Sequence, residues 1–199
     1  MKKKIGALLA ILLVLILSGC SESYEAEEST IFIGKDGVIT ETSVEKMDWN
    51  HYSETDVEGY IESEIEGFDG SSGTVEQVAF EVEGDQAKLT LSYTNWETYS
   101  EFNRRTFYTG TVVKAQAAGF EYEGSFQNAL EEGPAEREEV IDIPDRKVVI
   151  LENIADVKVK VPGKILYFSG NCELLEKNIA SVKKGESDSL TELAYIIYK

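Results

Sequence analysis

The sequence predicts an α+β domain: an antiparallel β-sheet with two or three helices packed on one face and a β-rich C-terminal part. Three observations predict it. Two pairs of apolar runs are joined by turns of Gly and Asp, two stretches pair a Thr cap with a Glu three residues on, and from Val140 onward the apolar pattern is that of strands. Hairpin, helix, hairpin, helices and then a run of strands build helix-on-sheet layers.

Thr30 to Thr40, TIFIGKDGVIT, places Gly-Lys-Asp-Gly between two strand-forming runs. Either Lys35-Asp36 or Asp36-Gly37 serves as its two-residue loop. The first helix is expected from Thr55, with Glu58 completing a capping box and Val57, Tyr60, Ile61, Ile65 and Phe68 on one face. Gly67 and the Gly70-Ser71-Ser72-Gly73 run end it. In the second hairpin a Gly84-Asp85 loop sets Val82 opposite Ala87, Phe80 opposite Leu89 and Val78 opposite Leu91, with Glu81 facing Lys88 on the other side.

The second helix is capped by Thr94 with Glu97 as its partner and turns Tyr99 and Phe102 inward; a shorter one spans Thr111 to Ala118 and closes at Gly119. Residues 121 to 138 show no period, and EEGPAEREE reads as an exposed loop. Val148 to Leu151 is continuously apolar, and Val157, Val159 and Val161 alternate with lysines. Pro162-Gly163 turns into Ile165 to Phe168, and strands follow around Cys172 to Ile179 and Leu190 to Tyr198. Residues 30–199 form one domain on this reading, or two subdomains split near 138.

The first thirty residues carry a separate message. Lys2 to Lys4 precede thirteen residues, Ile5 to Leu17, apolar apart from one glycine. A membrane-spanning helix needs about 20 apolar residues, whereas a basic start and a shorter apolar core read as an export signal. Leu17-Ser18-Gly19-Cys20 then resembles the lipobox of bacterial lipoproteins. That resemblance implies diacylglyceryl attachment to the Cys20 thiol, cleavage before it, and residues 1–19 as the removed signal. A structural cysteine, or a disulfide to Cys172, is the competing reading of Cys20. Two acyl chains hold a protein stably at a membrane where one does not. Residues 20–29 follow as an acidic tether, since SESYEAEES offers almost nothing to bury. The stretches FNRRTFYTGTVVKAQAAGF and VPGKILYFSGNCEL are similar to uncharacterised lipoproteins of Gram-positive, clostridia-like bacteria, a resemblance that implies location and no activity.

Charge narrows the partners. The formal charge of −18 becomes −21 once the leader's three lysines are removed. Nucleic-acid binding by phosphate neutralisation needs the opposite sign, and anionic headgroups repel such a surface within a Debye length. The expected location is the extracytoplasmic face of the cell membrane, with the lipid as the membrane contact.

No catalytic residue, metal ligand or cofactor motif follows from the sequence. The single histidine, His51, lies between Trp49 and Tyr52 and reads as a packing or surface residue. HExxH, GxSxG, Walker, GxGxxG and CxxC patterns are absent, and Cys172 beside Leu174 and Leu175 reads as a buried thiol. One repeated feature points to a ligand: Trp49, Asn50 and Tyr52 precede the first helix, and Tyr93, Asn95 and Trp96 open the second. Two such helix starts side by side would present aromatic faces, amides and backbone N–H groups to a sugar or carboxylate. Core packing at a strand-to-helix corner is the competing reading.

The expected function is therefore a membrane-anchored, non-enzymatic module that binds a small ligand or an envelope protein. A carboxylate-based envelope or glycan hydrolase is the alternative, because 37 acidic residues supply many carboxylate pairs. A Cys20→Ser variant is expected to lose incorporation of labelled fatty acid in cells, and unchanged labelling refutes the anchor.

Overall fold

Two stretches have no polar alternation at all, and they decide the architecture. Val148–Leu151 and Ala194–Ile197 are buried at every position. They pair antiparallel, with Val149 opposite Ile196 and Ile150 opposite Tyr195. Successive side chains on a strand point to opposite faces, so both faces of this sheet must be covered.

The computed structural model describes residues 26–185 and 192–199. The signal segment 1–19, the lipobox and Cys20 lie outside the described residues. In chain order the strands are β1 (Thr30–Ile33), β2 (Ile39–Lys46), β3 (Val75–Glu83), β4 (Gln86–Tyr93), β5 (Phe107–Thr111), β6 (Phe126–Asn128) and β7 (Gly133–Ala135). Then come β8 (Lys147–Glu152), β9 (Val157–Lys160), β10 (Ile165–Ser169), β11 (Cys172–Glu176), β12 (Ile179–Val182) and β13 (Leu193–Tyr198). Among the described residues four helices are interspersed: α1 (Glu54–Glu66), α2 (Trp96–Asn103), α3 (Val112–Ala117) and α4 (Arg137–Ile141).

The strands form two sheets, ordered β11-β12-β9-β1-β2-β4-β3 and β5-β8-β13-β10-β6-β7. One core lies between them: Ile31, Ile39 and Tyr93 from the first sheet meet Phe107, Val149 and Ile196 from the second. The opposite face of the second sheet presents Tyr108, Val148, Ile150, Tyr195 and Ile197. These are covered by Val112 and Ala115 of α3, Val140 of α4, and Tyr122.

This corrects the expected fold class. Among the described residues strands make up 42% and helices 19%, in two sheets, so the main layer opposite each sheet is not a row of helices. The physical reason is in β8 and β13: a sheet apolar on both faces needs a second layer on each side, and α2 to α4, at five to eight residues, are too short to supply one alone. Nor do the strands divide at residue 138. β9, β11 and β12 join the first sheet, β8, β10 and β13 the second, and β1 pairs in parallel with β9.

Local expectations fare unevenly. The Gly84-Asp85 hairpin keeps its register from Val82–Ala87 through Glu81–Lys88 to Phe80–Leu89, with Gly84 at φ 63° as its turn requires. Beyond that a bulge intervenes, so Gln77, not Val78, faces Leu91, and Val78 stands exposed. The first hairpin uses neither expected two-residue loop. Gly34 donates to Val38, Gly37 donates back to Gly34, and Gly37 sits at φ 94°, a three-residue loop with a left-handed glycine.

α1 begins two residues before the expected cap, at Ser53, whose box partner is Asp56; of its apolar face Tyr60 is exposed while Ile61 is buried. α2 is capped by Asn95 in place of Thr94. The segment with no readable period, 121–138, supplies β6 and β7, and the stretch read as an exposed loop, 131–139, holds β7 and the start of α4.

The end of the acidic stretch is not free either. Ala26 is buried, Glu28 pairs with Lys158 at 3.0 Å, and the Ser29 carbonyl accepts from the Lys158 N–H, extending the β1–β9 pairing upstream. No helix among the described residues is long and apolar enough to cross a membrane.

Ile196, fully buried between the sheets, and Val78, exposed at the bulge, give the architecture a stability test. Ile196→Ala is expected to cost about 2–5 kcal/mol in urea unfolding, and Val78→Ala less than about 0.5 kcal/mol. Equal costs contradict the burial pattern.

Candidate functional site

The six expected ligand residues do not come together. Trp49 lies at the tip of the second hairpin, where its indole N–H donates to the Gly84 carbonyl at 3.1 Å and the neighbouring Met47 N–H donates to Asp85. Trp96 follows the opposite end of β4. Eight residues at about 3.3 Å each put roughly 25 Å between the two groups. Asn50 turns back on Asp48, and Tyr52 is exposed. Tyr93 is fully buried, and Asn95 is spent as a cap, accepting from the Thr98 N–H and hydroxyl and donating to the Ser72 carbonyl at 2.7 Å. Of the six, Trp96 lines a concave surface.

That surface is an open groove of about 570 Å³ where the start of α2, the α2–β5 turn and the residues after α3 converge. Along it runs a ladder of rings. Trp96 packs on Tyr108 with centroids 4.8 Å apart, and Tyr108 on Phe120 at 5.2 Å. Half-buried Trp96 touches both hydrophobic cores, so it sits at the seam where they meet. Arg104 and Arg105 line the same groove, with the carboxylates of Glu101 and Glu152. Two of the chain's four arginines thus stand together in an acidic protein.

The helix end places this pair. Arg105 N–H donates to Ser100 O at 3.2 Å and Arg104 N–H to Glu101 O at 3.3 Å, with Arg104 left-handed at φ 52°. These two bonds form the Schellman turn that commonly closes a helix, normally with glycine at the left-handed position. An arginine there costs about 1 kcal/mol relative to glycine. Ser100 Oγ adds a 2.6 Å bond to the Arg105 carbonyl. Among the described residues neither guanidinium forms a salt bridge, and Arg105 Nε is buried without a hydrogen-bond partner. Glu152 and Glu101 are engaged elsewhere, accepting from Thr106 and Ser72 hydroxyls at 2.6 Å each.

Beneath Arg105 lies a polar cluster inside the core. Glu41 of β2 points between the sheets, beside Ile31 and Leu91, and its carboxylate accepts from the Tyr99 hydroxyl at 2.9 Å and the Tyr93 hydroxyl at 3.3 Å. The Arg105 guanidinium stands 5.8 Å from the Tyr99 ring centre. Burial first, and the Glu41 charge second, hold both tyrosine hydroxyls far above their ordinary pKa, and Arg105 opposes the shift. The hydroxyls therefore stay donors. Glu41, Tyr99 and Arg105 form a relay of contacts from the core to the groove wall.

Sequence reasoning missed Arg104, Arg105, Tyr108 and Phe120. The available signal was the adjacent arginine pair in a chain of net charge −18. Elsewhere His51 forms an exposed 2.8 Å pair with Asp48, whose carboxyl is held low chiefly by the Asn50 N–H. Cys172 is buried, and burial pushes its thiol up to about 11. Among the described residues no group of three or more His, Cys, Asp or Glu side chains is arranged to hold a metal ion. No family model, curated protein or solved structure matches the chain.

The tyrosine cluster sets an alkaline limit. A raised folded-state pKa means the neutral phenol stabilises the fold fully below the unfolded value of about 10, and this contribution falls as pH rises above it. Urea midpoints of the parent chain are expected to drop from about pH 10 upward. Tyr99→Phe is expected to start about 1–3 kcal/mol less stable, with Glu41 short of a donor, and to show a shallower drop. An identical alkaline slope in the variant contradicts the assignment.

Proposed function

We propose that the chain is a lipid-anchored, extracytoplasmic binding module that takes a small ligand in the groove beside Trp96. The observation that carries this reading is the pairing, in one concave surface, of half-buried Trp96 with two guanidinium groups that form no salt bridge among the described residues. Ligand sites combine apolar walls with a few polar groups that fix orientation, and the volume lies in the usual range. The location rests on the Leu17–Cys20 lipobox resemblance and on the acidic charge.

The hydrolase alternative would use Glu101 and Glu152, which line the same groove. Acid and base roles need carboxyls in contrasting environments. Here Glu101 is exposed and Glu152 half-buried, but each is already committed to one hydroxyl at 2.6 Å, which favours binding over hydrolysis.

Thermal unfolding of the full chain in detergent, against sugars, peptides, cell-wall fragments and divalent ions with a chelator control, tests the reading. A ligand at 100 times its Kd adds about 2.7 kcal/mol, a shift of several degrees. The shift is expected to vanish in Trp96→Ala, measured from that variant's own midpoint. A hit lost in Trp49→Ala but kept in Trp96→Ala moves the site to the hairpin tip, and a flat panel overturns small-ligand binding.

A further inference from the structure

We propose that the groove ligand is a sugar acid, held by its carboxylate on Arg104 and Arg105 with its ring against Trp96; this rests on the binding reading above. The arginine pair points to an anion. In a chain of −18, Arg104 and Arg105 line one groove with no salt bridge among the described residues, and Arg105 donates from Nη2 to Asn103 at 3.4 Å while its Nε is buried without a partner there. Guanidinium groups match carboxylates through paired N–H donors.

The rest of the groove selects which anion. Glu101 and Glu152 share it, so a dianion such as a phosphate monoester meets repulsion on two sides, while a singly charged carboxylate meets less. Carboxylate side chains only accept hydrogen bonds, and the Ser100 and Thr106 hydroxyls lie beside them, a lining suited to a ligand rich in hydroxyls. Half-buried Trp96 and Phe120, with buried Tyr108 packed between them, add the apolar surface that the C–H face of a sugar ring covers. Arg104 also lines a second groove of about 520 Å³ that runs toward Phe68 and Asp69, so a ligand of more than one ring can continue past it.

The left-handed position of Arg104 offers an unusually clean test. Arg104→Gly removes the guanidinium while placing the preferred residue in the turn, so the variant is expected to melt no lower than the parent. Calorimetric titration of the full chain in detergent would use an acidic oligomer, galactose units ending in a single galacturonic acid, and a neutral galactose oligomer of equal length. The acidic oligomer is expected to bind at least about ten-fold tighter than the neutral one, and Arg104→Gly and Arg105→Gln each to weaken it about ten-fold. Equal binding of the two oligomers, with loss in Trp96→Ala, overturns the carboxylate assignment and leaves the binding module standing. Unchanged binding of the acidic oligomer in both arginine variants also overturns it. If the acidic oligomer does not bind while inorganic phosphate or a peptide does, the sugar-acid assignment fails. If nothing in the wider panel binds, the module itself fails.

Discussion

A sheet that is apolar on both faces is the constraint from which the rest of this structure follows. β8 and β13 alternate Val148, Ile150, Tyr195 and Ile197 toward one side with Val149, Leu151, Ala194 and Ile196 toward the other. Neither face tolerates water, so a seven-stranded sheet covers one, and short helices with the Tyr122 loop cover the other. At the β5 edge the two cores converge: Phe107 faces one and Tyr108 the other. Trp96 fills this seam, and the groove lies where its packing reaches the surface. The candidate site is thus a by-product of how three layers end.

The polar cluster below the groove is a costly thing to keep in a core. A carboxylate at Glu41 is tolerated because two hydroxyls donate to it and a guanidinium lies beyond the nearer ring. Apolar residues of similar volume would often pack as well. What the cluster adds is position: Tyr99 cannot rotate without costing Glu41 the shorter of its two hydrogen bonds, and Arg105 rests over Tyr99. An arginine side chain otherwise has many rotamers, and one packed against a fixed ring loses less freedom when it meets a ligand.

Legibility in the sequence tracked how local each feature was. The Gly84-Asp85 turn, the Val82 and Phe80 register and the α3 boundary were readable because neighbours in sequence determine them. The Val78 bulge was not, since it depends on how β3 meets β4 far from the turn. Tyr60 fell on the apolar stripe of α1 yet is exposed, because that helix buries only one narrow line centred on Ile61. The fold class failed for a related reason: the apolar run at Val148–Leu151 was plain, but which layer covers it is decided by β1, β2 and β4 of the other sheet, far upstream in sequence. In the site, Trp96 was legible by residue type. Its companions were not, because Phe120 and Glu152 reach it only through the tertiary fold.

The parallel pairing of β1 with β9 bears on a quantity other than stability. β1 follows directly on the pinned Ala26–Ser29 segment and lies inside the first sheet, between β9 on one side and β2 on the other. Tension applied to the chain ahead of Ala26 runs along the axis of β1 and loads the hydrogen bonds to both neighbours together, in shear. A strand at a sheet edge, pulled sideways, would instead open like a zipper, one bond at a time. The domain therefore meets a load from its N-terminal side along its mechanically stiff direction.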